Sequence, residues 1–348
     1  MDERLVKIRD YLKNYMGPDI KLMEVCGSHT AAISKLGIKS IVSERIHLVS
    51  GPGCPVCVTP SAYIDRLIEI AMEDNMQVAT FGDLIRVPGS KESLSQAKGR
   101  GAKVKMLYSP MDVIDMAKKE KDKTFVFAAV GFETTAPVYA LLMDVIVKEQ
   151  INNIKLLTAI KTMPEVIESL CEKGADIQGF IAPGHVSVIT GSKVFEKLAI
   201  KYNIPFGVAG FTAEELLIAI YGIVKNIGKP VVNNYYTSVV SSQGNVKAKA
   251  LIDKYFEKTD AVWRGMGEVK NSGLILRKQY TQYDMGSRDL KEDIKLNKAC
   301  KCEDVLIGNI SSKQCPLFGK ICNPMFPQGA CMVSEEGSCY QNYLAGNI

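Results

Sequence analysis

Apolar residues recur along this chain in short, nearly continuous blocks at 20–25, 46–50, 77–81, 104–108, 124–130, 154–159, 179–182 and 206–210. Runs of that length, bounded by Gly, Pro and Asn, read as buried strands. Between them the apolar positions shift to helical spacing. Leu5, Ile8 and Leu12 mark a helix over 5–15, and others are predicted over 62–72, 110–118, 164–172 and from the Pro137 region to 149. Thr212 is placed to cap a helix running to 223. Strand, loop and helix alternate in two series that break near residue 123, the pattern of a mostly parallel α/β sheet. The chain therefore divides into an α/β domain over 1–120, a second over 121–228, and a C-terminal region over 229–348. In that last region 246–256 reads as a helix and 263–290 as loops and short strands, with Trp263-Arg264-Gly265-Met266-Gly267 as a turn of no evident function.

Length and composition narrow the function classes. At 348 residues two or three domains are expected. Hydrophobic residues at 47% and charged residues at 23% exclude wholesale disorder. A net charge of +5 is too small and too dispersed to argue for nucleic acid. No apolar run approaches the roughly 20 residues a membrane span needs. The charged, amphipathic start of the chain is unlike a signal peptide, so a cytoplasmic protein is expected. In that compartment ten cysteines would not serve as a disulfide framework, and six of them fall within 300–339. Metal or redox chemistry is the better explanation.

Three cysteine motifs carry that chemistry. Gly51-Pro52-Gly53-Cys54-Pro55-Val56-Cys57-Val58-Thr59-Pro60 holds two thiols on a loop stiffened by proline, suited to a redox pair or a thiolate metal site. Cys26 ends a strand just before a helix, where the helix N-terminus favours thiolate, and His29 follows three residues on. The tail from Lys298 holds Cys300, Cys302, Cys315, Cys322, Cys331 and Cys339 among prolines and glycines, with little apolar periodicity, so a metal centre would supply its cross-links. It lacks the paired knuckles usual for zinc. Four thiolates across wide, uneven gaps suit a [4Fe–4S] cluster better, with Cys300, Cys315, Cys322 and Cys339 as one ligand set and Cys302 or Cys331 as alternatives to the first or last. Cys171 reads as an inert buried thiol.

Met23-Glu24-Val25-Cys26-Gly27-Ser28-His29-Thr30, the Gly51–Pro60 loop, Gly131-Phe132-Glu133-Thr134-Thr135, Pro183-Gly184-His185-Val186-Ser187 and the tail occur together in this order. The combination resembles the hydrogenase maturation factor HypD family over nearly the whole chain, with Ser28 where the family usually has threonine. The resemblance implies two related Rossmann-like α/β domains facing a cleft, plus an iron–sulfur region. It implies assembly of the Fe(CN)₂CO unit of [NiFe]-hydrogenases with a HypC-type scaffold partner and a HypE-type cyanide donor. In that setting Cys26 would hold a transient Fe(II) carrying cyanide and CO, Cys54 and Cys57 would be redox-active, and Cys300, Cys315, Cys322 and Cys339 would bind the [4Fe–4S] cluster.

His29 and His185, each after a strand, are candidate acid/base groups or hydrogen-bond donors to cyanide or a thiolate. Structural histidines are the alternative. Glu133 is a candidate proton carrier or, equally, a helix-capping carboxylate. Asp83 and Arg86 are weaker candidates, and His47 belongs to a strand. Two other functions remain open: a stand-alone thiol–disulfide oxidoreductase, and a zinc-stabilised binding protein.

Overall fold

The structure, a computed structural model, describes residues 3–290, 292–295 and 297–346. The strands are β1 (Ile20–Glu24), β2 (Ile46–Ser50), β3 (Met76–Thr80), β4 (Val104–Met106), β5 (Thr124–Gly131), β6 (Ile154–Lys161), β7 (Gly179–Ala182), β8 (Phe206–Val208), β9 (Val232–Asn234), β10 (Phe256–Trp263) and β11 (Gly267–Leu276). They form two sheets. The first is wholly parallel, in the order β2-β1-β7-β8-β9. The second runs β10-β11-β6-β5-β3-β4, parallel from β6 to β4 and antiparallel where β11 meets β6 and β10. Helices connect the parallel strands, as a parallel sheet requires. The α/β class is therefore as expected.

The expected partition at 120 and 228 runs across both sheets, each of which takes strands from all three segments. The order of elements along a chain does not reveal which strands become neighbours. After β2 the chain leaves the first sheet to build β3 to β6, and it returns for β7 to β9. One apolar core joins Met23 and Val25 of the β1 segment, Phe180 of β7, Val126 and Ala128 of β5 and the tail cysteines.

Most predicted elements appear within a residue or three of their expected ends. The exceptions are in the C-terminal region and at the Pro183–Ser187 motif. Over 263–290, expected as loops and short strands, the long strand β11 forms and pairs with β10 in a hairpin, with an irregularity between Thr259 and Ala261. β10, Phe-Glu-Lys-Thr-Asp-Ala-Val-Trp, is half polar because it is an edge strand, and it lacks the apolar run that marks buried strands. The Pro183–Ser187 motif, expected as a loop, begins a helix at Gly184 (Gly184–Thr190). Thr212 caps its helix as expected, with Glu215 completing the capping box.

Candidate functional site

Strand ends from both sheets converge on one cavity of about 350 Å³. Cys26 after β1, Gly53 and Pro55 after β2, Phe132 and Thr134 after β5, and His185 after β7 all line it. In parallel α/β sheets the space beyond the carboxyl ends of the strands is where ligands bind, because the loops there are free to carry chemistry.

Cys26 is the N-cap of helix Gly27–Lys35 and is 8% exposed. Burial pushes its thiol up to about 12, opposed by the backbone N–H groups of His29 and Ser28 at the start of the helix. Its own amide donates to Glu24 Oε2 at 3.0 Å. Glu24 also accepts from the Thr30 hydroxyl. Burial raises the Glu24 carboxyl to about 7. This buried carboxyl at the end of β1 fixes the turn on which Cys26 sits. Its sequence signal was a lone acid directly before Val25-Cys26.

The thiol-pair loop lies flat against that turn. Gly51 N–H donates to Glu24 O at 2.7 Å and Gly27 N–H donates to Gly53 O at 2.9 Å. A Cβ on Gly53 would lie 2.3 Å from the Cys26 nitrogen, so only glycine permits this approach. Cys54 and Cys57 are 2% and 0% exposed, beneath the cavity wall, and both are free thiols. Cys57 N–H donates to Cys54 Sγ at 3.2 Å. Burial, and Cys54 beside it, drive the Cys57 thiol well above its ordinary value.

Behind the pair stands the tail. Cys57 Sγ is 3.6 Å from Ala330 O, one residue before Cys331, and Cys302 acts electrostatically on Cys57. All six tail cysteines are buried. Cys331 Sγ lies 3.2 Å from Cys339 Sγ, and Cys331 N–H donates to Cys302 Sγ at 3.4 Å. Cys300 interacts with Cys302, Cys315 and Cys322, and Cys322 with Cys315 and Cys339. Among the described residues no three His, Cys, Asp or Glu side chains converge on a single ion. The tail instead supplies six buried sulfur atoms that meet in pairs. Beside them Gly329 leaves a cradle that a Cβ would fill, 2.6 Å from Cys300 Sγ. An all-sulfur set of this kind fits an iron–sulfur centre.

The tail also reaches the cavity. Glu336 lines it beside Cys26, and Ser28 Oγ donates to Glu336 Oε1 at 3.1 Å. Burial raises the Glu336 carboxyl. Nothing in the sequence marked Glu336, because its approach to Cys26 depends on how the tail folds back.

The other candidates separate. His185 faces the cavity with its ring stacked on Phe211, centroids 4.2 Å apart. His29 packs near the same phenyl ring, at 4.7 Å, and is fully buried. Its Nε2–H donates to Ala209 O at 3.2 Å and to Gly210 O at 3.0 Å. Burial lowers it to about 4, so it is neutral at physiological pH. Its ring thus ties helix Gly27–Lys35 to the end of β8 and lies outside the cavity lining. Glu133 also lies outside the lining. It accepts the Met163 N–H at 2.8 Å, at the start of helix Met163–Glu172, and burial raises it to about 8. It caps a different helix from the one its sequence position suggested. Asp83 stands 3.4 Å from Ser334 Oγ, Arg86 bonds Pro324 O, and His47 is half exposed beside Asp19. Cys171 is partly exposed. No helix among the described residues is long and apolar enough to cross a membrane.

A family model described as HypD, hydrogenase formation hypA family, matches residues 2–346. The chain is 43% identical over 324 residues to a putative hydrogenase expression/formation protein of Methanocaldococcus jannaschii, covering 92% of this chain and 90% of that one. It is 36% identical over 345 residues to the hydrogenase maturation factor HypD of Rhodobacter capsulatus, covering 96% and 92%. With the HypD of Escherichia coli it shares 38% identity over 326 residues, covering 92% and 87%.

Proposed function

Because the chain belongs to the HypD family of hydrogenase maturation factors, we propose that its cavity is where an Fe(CN)₂CO unit is assembled, with a HypC-type scaffold protein and a HypE-type cyanide donor as partners. The observation that carries this reading is the meeting of Cys26 and the Cys54–Cys57 loop at one cavity wall, with the tail thiols directly behind.

Cys26 is the iron ligand. Low-spin Fe(II) bearing cyanide and CO is a soft centre, for which thiolate is a suitable partner. The buried thiol must lose its proton to bind, and Glu336 in the same cavity is positioned to take it. The helix amides that favour thiolate at Cys26 then hold the charge. His185 borders the space where cyanide would lie and can donate a hydrogen bond there. Cys54 and Cys57 form a dithiol that gives two electrons and two protons as it closes to a disulfide. Cys300, Cys315, Cys322 and Cys339 would hold a [4Fe–4S] cluster, which when bound supplies one-electron transfer. Cys302 acts electrostatically on Cys57, and its sulfur accepts the Cys331 N–H. The work is cytoplasmic in this reading.

A stand-alone thiol–disulfide oxidoreductase is disfavoured by burial, since Cys54 and Cys57 present no sulfur to an external disulfide. The deciding experiment is anaerobic purification with native partners followed by infrared and metal analysis. Cyanide and CO bands are expected in the wild-type complex. In Cys26→Ala they should vanish while the visible absorbance of the tail centre stays. Retention of the bands in that variant would remove Cys26 as the iron ligand.

A further inference from the structure

The turn of the β10–β11 hairpin is seated beneath the thiol-pair loop. Arg264, its second residue, is 8% exposed. Its amide donates to Val58 O at 2.8 Å, directly after Cys57. Its Nε donates to Thr59 O at 2.7 Å and its Nη2 to Pro88 O at 2.9 Å. Asp293 Oδ1 stands 3.9 Å from Nε, accepts the Ser61 N–H at 3.1 Å, and offers its other oxygen to the Gly265 N–H at 3.0 Å. A narrow cavity on the far side brings Arg264 together with Cys300 and Cys302. One buried guanidinium therefore grips the exit of the Cys54–Cys57 loop and borders the tail thiols.

The geometry points to Arg264 as the positioning residue of the thiol pair: it clamps the loop from Val58 to Ser61, with Asp293, so that the two sulfurs stay within bonding reach. A planar guanidinium can serve two carbonyls at fixed angles, whereas a lysine ammonium on a flexible stem cannot reproduce both. Holding the loop raises the effective concentration of one sulfur at the other, which favours the closed disulfide over the open dithiol. Releasing the clamp gives the dithiol more freedom and makes the disulfide easier to reduce. The inference rests on the redox reading of Cys54 and Cys57.

The test is the dithiol–disulfide equilibrium of the full-length protein in dithiothreitol buffers of graded oxidation, read by alkylation and peptide mass spectrometry at Cys54 and Cys57. Wild type should form the disulfide. Arg264→Lys should melt close to wild type, yet shift the equilibrium about tenfold towards the dithiol, which is about 30 mV for a two-electron couple. The double variant Arg264→Met with Asp293→Asn, which removes both charges of this pair together, should shift the same way. An unchanged equilibrium in either folded variant overturns the clamp while leaving the redox reading intact. Failure of wild type to form the disulfide in any buffer overturns both. Hydrogen exchange on wild type tests the same idea without mutation. Protection of the Arg264 amide should persist when the pair is oxidised, and its loss on oxidation would show that the clamp does not hold the closed loop.

Discussion

Gly53 and Cys26 are packed backbone to backbone, so close that a Cβ on Gly53 would fall 2.6 Å from the Cys26 Cα. Two motifs separated along the chain thereby become one rigid unit. Gly53→Ala should push the loop off the Cys26 turn and cost about 1–3 kcal/mol of stability, the usual range for overpacking. Urea denaturation measures the loss, and a variant as stable as wild type would mean the contact is looser than described.

The Cys26 thiol lies at about 12 because it is buried. Its alkylation rate depends on the thiolate fraction, so it should rise about tenfold per pH unit from pH 6 to pH 10 without levelling off. Peptide-resolved iodoacetamide labelling of the metal-free protein tests this. A plateau below pH 9 would mean that the helix amides outweigh burial at this sulfur.

Glu133 binds its proton more tightly when folded, at about 8, than an ordinary glutamate carboxyl at 4.5. Its contribution to stability is therefore fully present below pH 4.5 and is lost as pH rises through about 8. Glu24, raised to about 7, has the same sign. His29, lowered to about 4 from 6.5, has the opposite one, with stability lost as pH falls from 6.5 towards 4. Glu133→Gln should flatten the decline between pH 4.5 and pH 8 by on the order of 5 kcal/mol, at about 1.4 kcal/mol per pKa unit. Denaturant midpoints across that range give the comparison, and an unflattened slope would assign the decline to other groups.

Cys315 and Cys171 provide a matched pair for the tail centre. After anaerobic reconstitution, wild type and Cys171→Ser should each carry a cluster with about four irons and four sulfides. Cys315→Ser should lose most of the iron and the broad visible absorbance. Equal iron in both variants would remove Cys315 from the ligand set.

Local elements and the chemistry-bearing motifs are legible in the chain before it folds. Strand β5 and helix Ala213–Val224 are legible because burial demands continuous apolar runs and caps have a residue code. Cys26, Cys54, Cys57 and the six tail thiols stand out because cysteine is scarce and its grouping is chemical. Which strands became neighbours was decided only in three dimensions, since a parallel pair can join segments any distance apart and β1 lies beside β7. The same holds for side-chain direction. His29 and Glu133 are candidate acid/base groups by sequence, but packing turns one towards Ala209 and the other towards Met163. Arg264 and Glu336 carried no local signal at all. They matter only because a hairpin turn and a folded-back tail bring them to the thiol loop and to Cys26.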